Sequence, residues 1–344
     1  MNLNRGKKFL LTFFALTLLF ALTACKEHDE QATTDNQTED TDDQTNNGHD
    51  QSNETKANFP LTTTIEDKEI TIENKPQKIA ALSLNVADTV MDLAGPEVLV
   101  TVTNSMEQEN LSHFSEEAKV IENKIAGATS LDPEAVISYD PDLILLTLTH
   151  GAEEDADDTL TKAGIPLASF SRWTTIEDLM NNYHDIGQLI GEEEKAQEII
   201  EDMQAKIDHA EEMIKDREEQ PTVLMLSQVG SNTGPYILGP SSIAYDLIQL
   251  AGGKSGSDVL GLDKTSPASI EHIIEMDPDY VILVEWSATS DEFTELIDSS
   301  GFQTLSAVEN GRIKHMKAKD LSQANRFIVD QLEDLVLWLN GEDD

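Results

Sequence analysis

The hydrophobic pattern of the chain alternates between two periods after residue 58. Polar and apolar positions alternate over 62–65 and 70–72 around Glu66-Asp67-Lys68, which predicts a β-hairpin. Further on, short and nearly continuous apolar runs are separated by segments of helical period. Such runs are typical of parallel strands buried on both faces. The predicted strands are 78–83, 98–102, 143–148, 165–170, 223–227 and 280–284, with helices that include 86–93, 244–250 and 270–275.

Residues 176–220 interrupt this alternation with a long helical period. Apolar residues recur on one face from Ile186 to Ile214, while Glu and Lys fill the other, and Pro221 ends the pattern. We predict one helix here, or two helices in line. This connecting segment divides the folded part into an N-terminal α/β lobe over 59–175 and a C-terminal α/β lobe over 221–344.

A faint internal repeat indicates that the two lobes are built alike. Asp-Pro-Asp opens an apolar strand at 140–142 and again at 277–279, and a glutamate lies six residues before each, at Glu134 and Glu271. A helix–turn–strand junction accounts for the proline and the aspartates. It does not account for the shared offset of the glutamate.

The first 58 residues have a different pattern. Residues 1–24 combine a basic start with a short apolar run, which predicts a signal peptide; the run is short for the alternative, a transmembrane helix. Leu22-Thr23-Ala24-Cys25 resembles the lipobox of bacterial lipoproteins, in which the cysteine becomes residue one and carries a diacylglycerol. Residues 25–58 would then be the lipidated Cys25 and an acidic, disordered tether.

Composition excludes several classes of function. The chain has 66 acidic and 23 basic residues, a net charge of −43, so a nucleic-acid partner is not expected and the lipid anchor is the only predicted membrane contact. Cys25 is the only cysteine, which leaves no disulfide if it is lipidated. Enzyme signatures are missing, and the scattered histidines form no ligand-spaced pair, so neither catalysis, a cofactor nor a bare-metal site is predicted.

The order and spacing of several motifs resemble the substrate-binding lipoproteins of ABC importers, more narrowly the group that binds ferric siderophores, haem and cobalamin. The resemblance covers 59–340. It rests on the lipobox, the opening hairpin, 76–83, both Asp-Pro-Asp strands, Gly239-Pro240-Ser241-Ser242 before Ala251-Gly252-Gly253, and the mid-chain helix. It implies two Rossmann-like α/β lobes with parallel sheets, joined by a single long rigid helix, with a ligand cleft between them and little closure.

The resemblance also implies site residues. Glu134 and Glu271 match the two glutamates that dock onto arginines of the permease. Loops that follow strands supply the cleft candidates, which are Asn85, Met106, His150, Arg172, Trp173, Tyr236, Trp286 and Arg326. Arg172 beside Trp173 is the favoured anion and ring contact, because guanidinium pairs with carboxylate or catecholate oxygens. If the ligand is haem, Met106, Tyr236 or His150 would supply axial ligation.

The expected function is therefore capture of a small iron chelate on the extracellular face of the cell membrane. A lipid-anchored monomer would deliver the chelate to an ABC permease with its ATPase. A ferric siderophore is the first choice of cargo, haem the second and cobalamin the third. The few arginines weaken the case for an anionic siderophore, since many members of the resembled group use several, and so acidic a chain favours a neutral or cationic hydroxamate chelate. The rival hypothesis is a surface enzyme or sensor subunit on the same fold.

Overall fold

The computed structural model describes residues 59–127, 130–149, 151–229, 234–287 and 292–342. The predicted signal peptide, Cys25 and the acidic tether lie outside the described residues, and so does His150. Within the described ranges, no helix combines the length and the apolar character that crossing a bilayer requires.

The N-terminal lobe is built on a five-stranded parallel sheet. Its elements are β1 (Leu61–Ile65), β2 (Lys68–Ile72), β3 (Ile79–Ala81), α1 (Leu84–Ala94), β4 (Leu99–Thr103), β5 (Asn123–Ile125), α2 (Pro133–Ser138), β6 (Leu143–Thr147), α3 (Gly151–Thr161) and β7 (Leu167–Phe170). The strand order is β5-β4-β3-β6-β7, and every pair in it is parallel. β1 and β2 form the predicted antiparallel hairpin, which turns at Glu66-Asp67.

The segment between the lobes forms two helices, α4 (Ile176–Ile190) and α5 (Glu193–Ile214). Gly191 ends α4 in the left-handed conformation, with φ of 71°. Its N–H donates to Gln188 O at 3.3 Å, and the next N–H donates to Gly187 O at 2.8 Å, which is a Schellman cap. A Cβ on Gly187 would lie 2.5 Å from that of Ala196, so α5 folds back against α4. The connecting segment is therefore two helices rather than one, and α5 is the long helix of the predicted fold class.

Both helices are bonded to both lobes. In α4, Tyr183 OH donates to Asp92 of α1 at 3.2 Å, while the N–H of Ile176 donates to Asp246 of the C-terminal lobe at 2.7 Å. In α5, Lys195 Nζ lies 3.1 Å from the carbonyl of Leu93 at one end. At its 22 residues α5 is about 33 Å long, long enough to run along both lobes.

The C-terminal lobe carries a six-stranded mixed sheet. Its elements are β8 (Thr222–Ser227), β9 (Tyr236–Ile237), α6 (Ile243–Leu250), β10 (Lys254–Ser255), α7 (Gly256–Val259), β11 (Ser266–Pro267), α8 (Ile270–Met276), β12 (Tyr280–Glu285), α9 (Thr294–Ile297), α10 (Ser306–Glu309), β13 (Ile313–Lys317), α11 (Ala318–Leu321) and α12 (Leu332–Leu339). The order is β11-β9-β8-β12-β13, with β10 beside β8. β9 and β11 are antiparallel additions at one edge of the predicted parallel strands.

Alternate residues of the strands pack on opposite faces of each sheet. In β12, Tyr280, Ile282 and Val284 join one apolar cluster, whereas Val281 and Leu283 join another. The first cluster is continuous through α4 and α5 into the N-terminal lobe. Opening the lobes widely would expose this shared core to water, so the fold favours small relative movement.

The Asp-Pro-Asp repeat has the same structural role in both lobes. Its first aspartate is left-handed in each case, with φ of 52° and 43°. Its third aspartate accepts a hydrogen bond from a backbone N–H at the start of a neighbouring strand. Asp142 accepts from Lys78 N, just before β3, at 2.9 Å, and Asp279 accepts from Thr222 N, the first residue of β8, at 2.8 Å. The repeat therefore joins a helix to one strand while holding the start of the next.

Candidate functional site

A cleft lies between the lobes at the carboxyl ends of the parallel strands. It consists of two adjoining cavities, which we call the Tyr236 chamber and the Asn85 chamber, of about 550 Å³ and 450 Å³ respectively. Both volumes are typical of small-molecule sites. The residues that line both chambers are Arg172, Trp173, Val229, Trp286 and Ser322.

The Tyr236 chamber is formed mainly by the C-terminal lobe. It combines aromatic rings with hydroxyl groups and a lysine. Besides the shared residues, its lining consists of Ser227, Tyr236, Leu238, Ser241, Ser242, Ile243, Lys264 and Thr265. Such a wall can stack on a ring system and donate hydrogen bonds to its oxygens.

The Asn85 chamber is formed mainly by the N-terminal lobe, and hydroxyl groups dominate it. Its further lining consists of Ser83, Leu84, Asn85, Thr103, Thr147, Thr149, Glu153, Gln323 and Ala324. Asn85 Oδ1 accepts a hydrogen bond from Thr147 Oγ1 at 3.1 Å. The buried carboxylate of Glu153 accepts from Thr149 N at 2.6 Å and from its Oγ1 at 2.7 Å.

A capped loop between β7 and α4 positions Arg172 and Trp173. Thr175 and Asp178 form a capping box at the start of α4, which fixes the end of this loop. The Arg172 guanidinium is exposed and donates from Nη2 to the carbonyl of Thr149 at 3.3 Å. Trp173 is buried and meets the ring of Phe170 edge-on, with centroids 6.2 Å apart. The pair therefore presents a charged group above a rigid aromatic base.

Trp286 and Tyr236 lie at the two strands that flank β8 in the C-terminal sheet. Trp286 follows β12, and its indole Nε1 donates to Ser227 Oγ at the end of β8 at 2.8 Å. Tyr236 of β9 pairs in register with Ser227 and is 38% exposed. The ends of β9, β8 and β12 therefore place both aromatic rings in the lining of the Tyr236 chamber.

Sequence reasoning missed Lys264, because the loop that holds it has no hydrophobic period. A Cβ on Gly239 would lie 2.9 Å from the carbonyl carbon and oxygen of Lys264, so only glycine allows this close approach. Thr265 N donates to Ser241 Oγ at 3.1 Å. The glycine before Pro240 was the signal that could have indicated a second segment packed here.

Two predicted cleft residues lie elsewhere. Met106 has no exposed surface and packs in the shared apolar core, so the structure places it outside both chambers and not on the cleft wall where it was expected. Arg326 forms an ion pair with Asp92 of α1, with 2.6 Å between Nε and Oδ2, and its guanidinium stacks on Phe327. Arg326 therefore ties the lobes together behind the cleft.

Glu134 and Glu271 occupy matching positions, each at the second residue of a helix, α2 or α8. Both side chains are exposed. Because a crossover helix runs antiparallel to its strands, both N-terminal turns lie on the side of the strand carboxyl ends. Ser269 Oγ donates to Glu271 at 2.7 Å, and this hydrogen bond lowers the pKa of that carboxyl group.

Across the part of the chain that the structure describes, no three His, Cys, Asp or Glu side chains come together as a metal site. What the fold and the cleft define is a two-lobed binding protein. A family model described as a periplasmic binding protein matches residues 79–319, and the chain belongs to that family. The resemblance to substrate-binding proteins of ABC importers is thereby confirmed; the family consists of solute-binding transport proteins and not of enzymes.

Individual relatives are distant but extend over most of the chain. The uncharacterized ABC transporter substrate-binding lipoprotein YvrC of Bacillus subtilis is 22% identical over 284 residues, 80% of this chain and 84% of the relative. The iron(3+)-hydroxamate-binding protein FhuD of the same organism is 23% identical over 318 residues, 90% of each chain. The periplasmic heme-binding protein RhuT from Roseiflexus sp. RS-1 has the same fold, with a TM-score of 0.67, 18% identity, and coverage of 78% of this chain and 99% of RhuT.

Proposed function

We propose that the protein is a lipid-anchored substrate-binding protein that captures a ferric chelate outside the cell and delivers it to an ABC permease with its ATPase. The observation that carries the proposal is the ligand-sized cleft between the lobes, where Arg172, Trp173 and Trp286 line both chambers. The cleft holds hydrogen-bond donors and rings but no assembled metal site among the described residues, which suits a metal that arrives already chelated.

A ferric siderophore is the proposed cargo. The likeness to a protein named for binding iron(3+)-hydroxamate supports this choice over 90% of the chain. Haem is the second candidate, because the exposed phenol of Tyr236 could serve as an axial ligand while Met106 is in the core. Cobalamin is the third candidate.

Two surface features would serve delivery. Lipidation at Cys25 would hold the chain at the extracellular face of the membrane, and the lipoprotein among its relatives supports this. Glu134 and Glu271 would each pair with an arginine of the permease, one on each lobe, so that register and encounter depend on both.

Tryptophan fluorescence of the full-length chain tests the proposed function. Trp173 and Trp286 line the cleft, whereas Trp338 packs against Tyr280 in the C-terminal lobe and serves as an internal reference. We expect saturable, submicromolar quenching by one ligand among a ferric hydroxamate, a ferric catecholate, haemin and cobalamin. Trp286→Phe should reduce the quenching and Trp338→Phe should not. No quenching by any of the four would contradict the proposal and favour a sensor or an enzyme on this fold.

A further inference from the structure

The cations of the cleft differ from nine other cations among the described residues, because they have no carboxylate partner there. Ion pairs with carboxylates hold Lys68, Lys75, Lys78, Lys119, Lys124, Lys206, Lys215, Lys317 and Arg326. Neither Arg172 nor Lys264 forms such a pair with any described residue, although the chain has 66 acidic residues. Arg172 donates one N–H to the carbonyl of Thr149, and its other guanidinium N–H groups are available to a ligand.

Acidic residues are also missing from the wall that these two cations share. Among the described residues that line the Tyr236 chamber there is no Asp or Glu, while Arg172 and Lys264 both belong to it. The acid of the adjoining Asn85 chamber, Glu153, is engaged by Thr149. A chamber of positive charge thus exists in a chain whose net charge is −43.

The two cations come from opposite lobes and belong to separate loops. Arg172 follows β7 in the N-terminal lobe, beside the capping box of α4. Lys264 belongs to the C-terminal lobe, where its backbone is packed against Gly239. A ligand that engages both groups would therefore link the lobes by charge as well as by ring contact.

We propose that the Tyr236 chamber selects a ligand with anionic oxygens, catecholate or carboxylate, which bridge Arg172 of one lobe and Lys264 of the other. This inference rests on the proposed function, and it assigns Lys264 as a binding residue. Guanidinium forms paired hydrogen bonds with such oxygens, and an ammonium group supplies a compact point charge. The net negative charge of the whole chain favours a neutral or cationic chelate. The ligand, however, contacts the wall of the chamber, and the charged side chains of that wall are positive.

Calorimetric titration of the full-length chain tests this assignment. The ligands are a trianionic ferric tris-catecholate, a neutral ferric trihydroxamate and haemin, whose propionates carry its carboxylates. The variants are Arg172→Gln, Lys264→Gln and Lys264→Glu. Lys162→Gln is the matched control, since this exposed lysine just after α3 does not line either chamber. Thermal melts check that each variant is folded.

We expect an anionic ligand to bind most tightly and to lose about tenfold in affinity in each glutamine variant, with a larger loss in Lys264→Glu. Lys162→Gln should bind like the parent chain. Whether the catecholate or haemin is the tighter ligand identifies the source of the anionic oxygens. Tightest binding of the neutral trihydroxamate, unchanged in Lys264→Gln, would overturn the inference and leave the proposed function intact. Failure of all three ligands to bind would overturn both.

Discussion

The two lobes are alike where they would meet a transporter and different where they would meet a ligand. Each has an exposed glutamate at the second residue of a short helix, Glu134 or Glu271, followed by the same Asp-Pro-Asp junction. At the cleft, the N-terminal lobe supplies a wall of hydroxyl groups. The C-terminal lobe supplies Trp286 after β12, the counterpart of β6, and adds Tyr236 on β9 and Lys264 in a loop, which have no counterpart in the other lobe.

This difference separates two tasks. A partner with two similar subunits or halves can be recognised by a feature that is repeated on both lobes, and the proposed docking glutamates are such a feature. A small asymmetric ligand needs different groups on its two sides, and the antiparallel edge of β9 and β11 provides them on one lobe only.

The largest effect is expected from removing both docking glutamates. Glu134→Ala with Glu271→Ala should abolish uptake of chelated radioactive iron by cells, because neither lobe could pair with an arginine of the permease. Ligand affinity of the purified variant should be unchanged. Glu275→Ala, another exposed glutamate on α8, is the control and should transport normally. Normal uptake by the double variant would contradict the assignment of Glu134 and Glu271 as docking residues.

The next effect concerns the asymmetric wall. Gly239→Val should displace the loop of Lys264, because a Cβ there would lie 2.9 Å from its carbonyl group. We expect at least a tenfold loss of ligand affinity and a loss of about 1–3 kcal/mol in the free energy of unfolding. Gly151→Ala in the N-terminal lobe is the control, since nothing lies within 4 Å of its added Cβ. Unchanged affinity in Gly239→Val would show that this loop does not shape the site.

A third prediction concerns the bond behind the cleft that ties the lobes together. Arg326→Met would leave the carboxylate of Asp92, whose side chain is 9% exposed, without its cation. We expect the free energy of unfolding to fall by about 2 kcal/mol, and amide hydrogen exchange to rise in both α1 and the segment around Phe327. Arg312→Met, which removes a cation from the ring of Tyr280 within one lobe, should raise exchange there alone. If amide hydrogen exchange at α1 is unchanged in Arg326→Met, the pair of Arg326 and Asp92 does not couple the lobes.

The smallest effect is a pH dependence that belongs to the N-terminal lobe. Burial raises the pKa of Asp88 on α1 to about 7, although Ser112 Oγ donates to it at 2.5 Å. The folded state therefore holds a proton that the unfolded state releases at lower pH, and stability falls as the pH rises from about 4 to about 7. At about pH 8, Asp88→Asn should be more stable than the parent by about 1–2 kcal/mol in the free energy of unfolding and should unfold at a higher temperature. At about pH 4 the variant and the parent should be equally stable. An equal gain at both values would exclude titration of Asp88 as the cause.

The sequence predicted those elements that have a strong hydrophobic period. Strands β3, β6, β8 and β12 lie within about two residues of their predicted bounds, since each is a continuous apolar run. Elements without a period were missed: β9 and β11 have two residues each, and β9 forms by pairing with β8 while β11 forms by pairing with β9. The break between α4 and α5 has helical period on both sides, and only the positive φ of Gly191 reveals it.

The candidate site divides in the same way. Position after a strand predicted Asn85, Arg172, Trp173 and Trp286 for the cleft, and the structure has them among the residues that line it. It was wrong for Met106, because a side chain in a loop can turn into the core as readily as into the cleft. It was also wrong for Arg326, whose partner Asp92 is 234 residues away in sequence. Such long-range partners, like the packing that presents Lys264, are set by tertiary structure and leave no local pattern.

The position of the bound ligand decides whether the cleft between the lobes is the binding site. A crystal structure of the full-length chain with the chelate that quenches its fluorescence measures this directly. We predict that the chelate occupies the Tyr236 chamber, with its oxygens bonded to Arg172 and Lys264 and its ring system against Trp286. A chelate bound outside the cleft, or in the cleft without contact to either cation, would contradict the account.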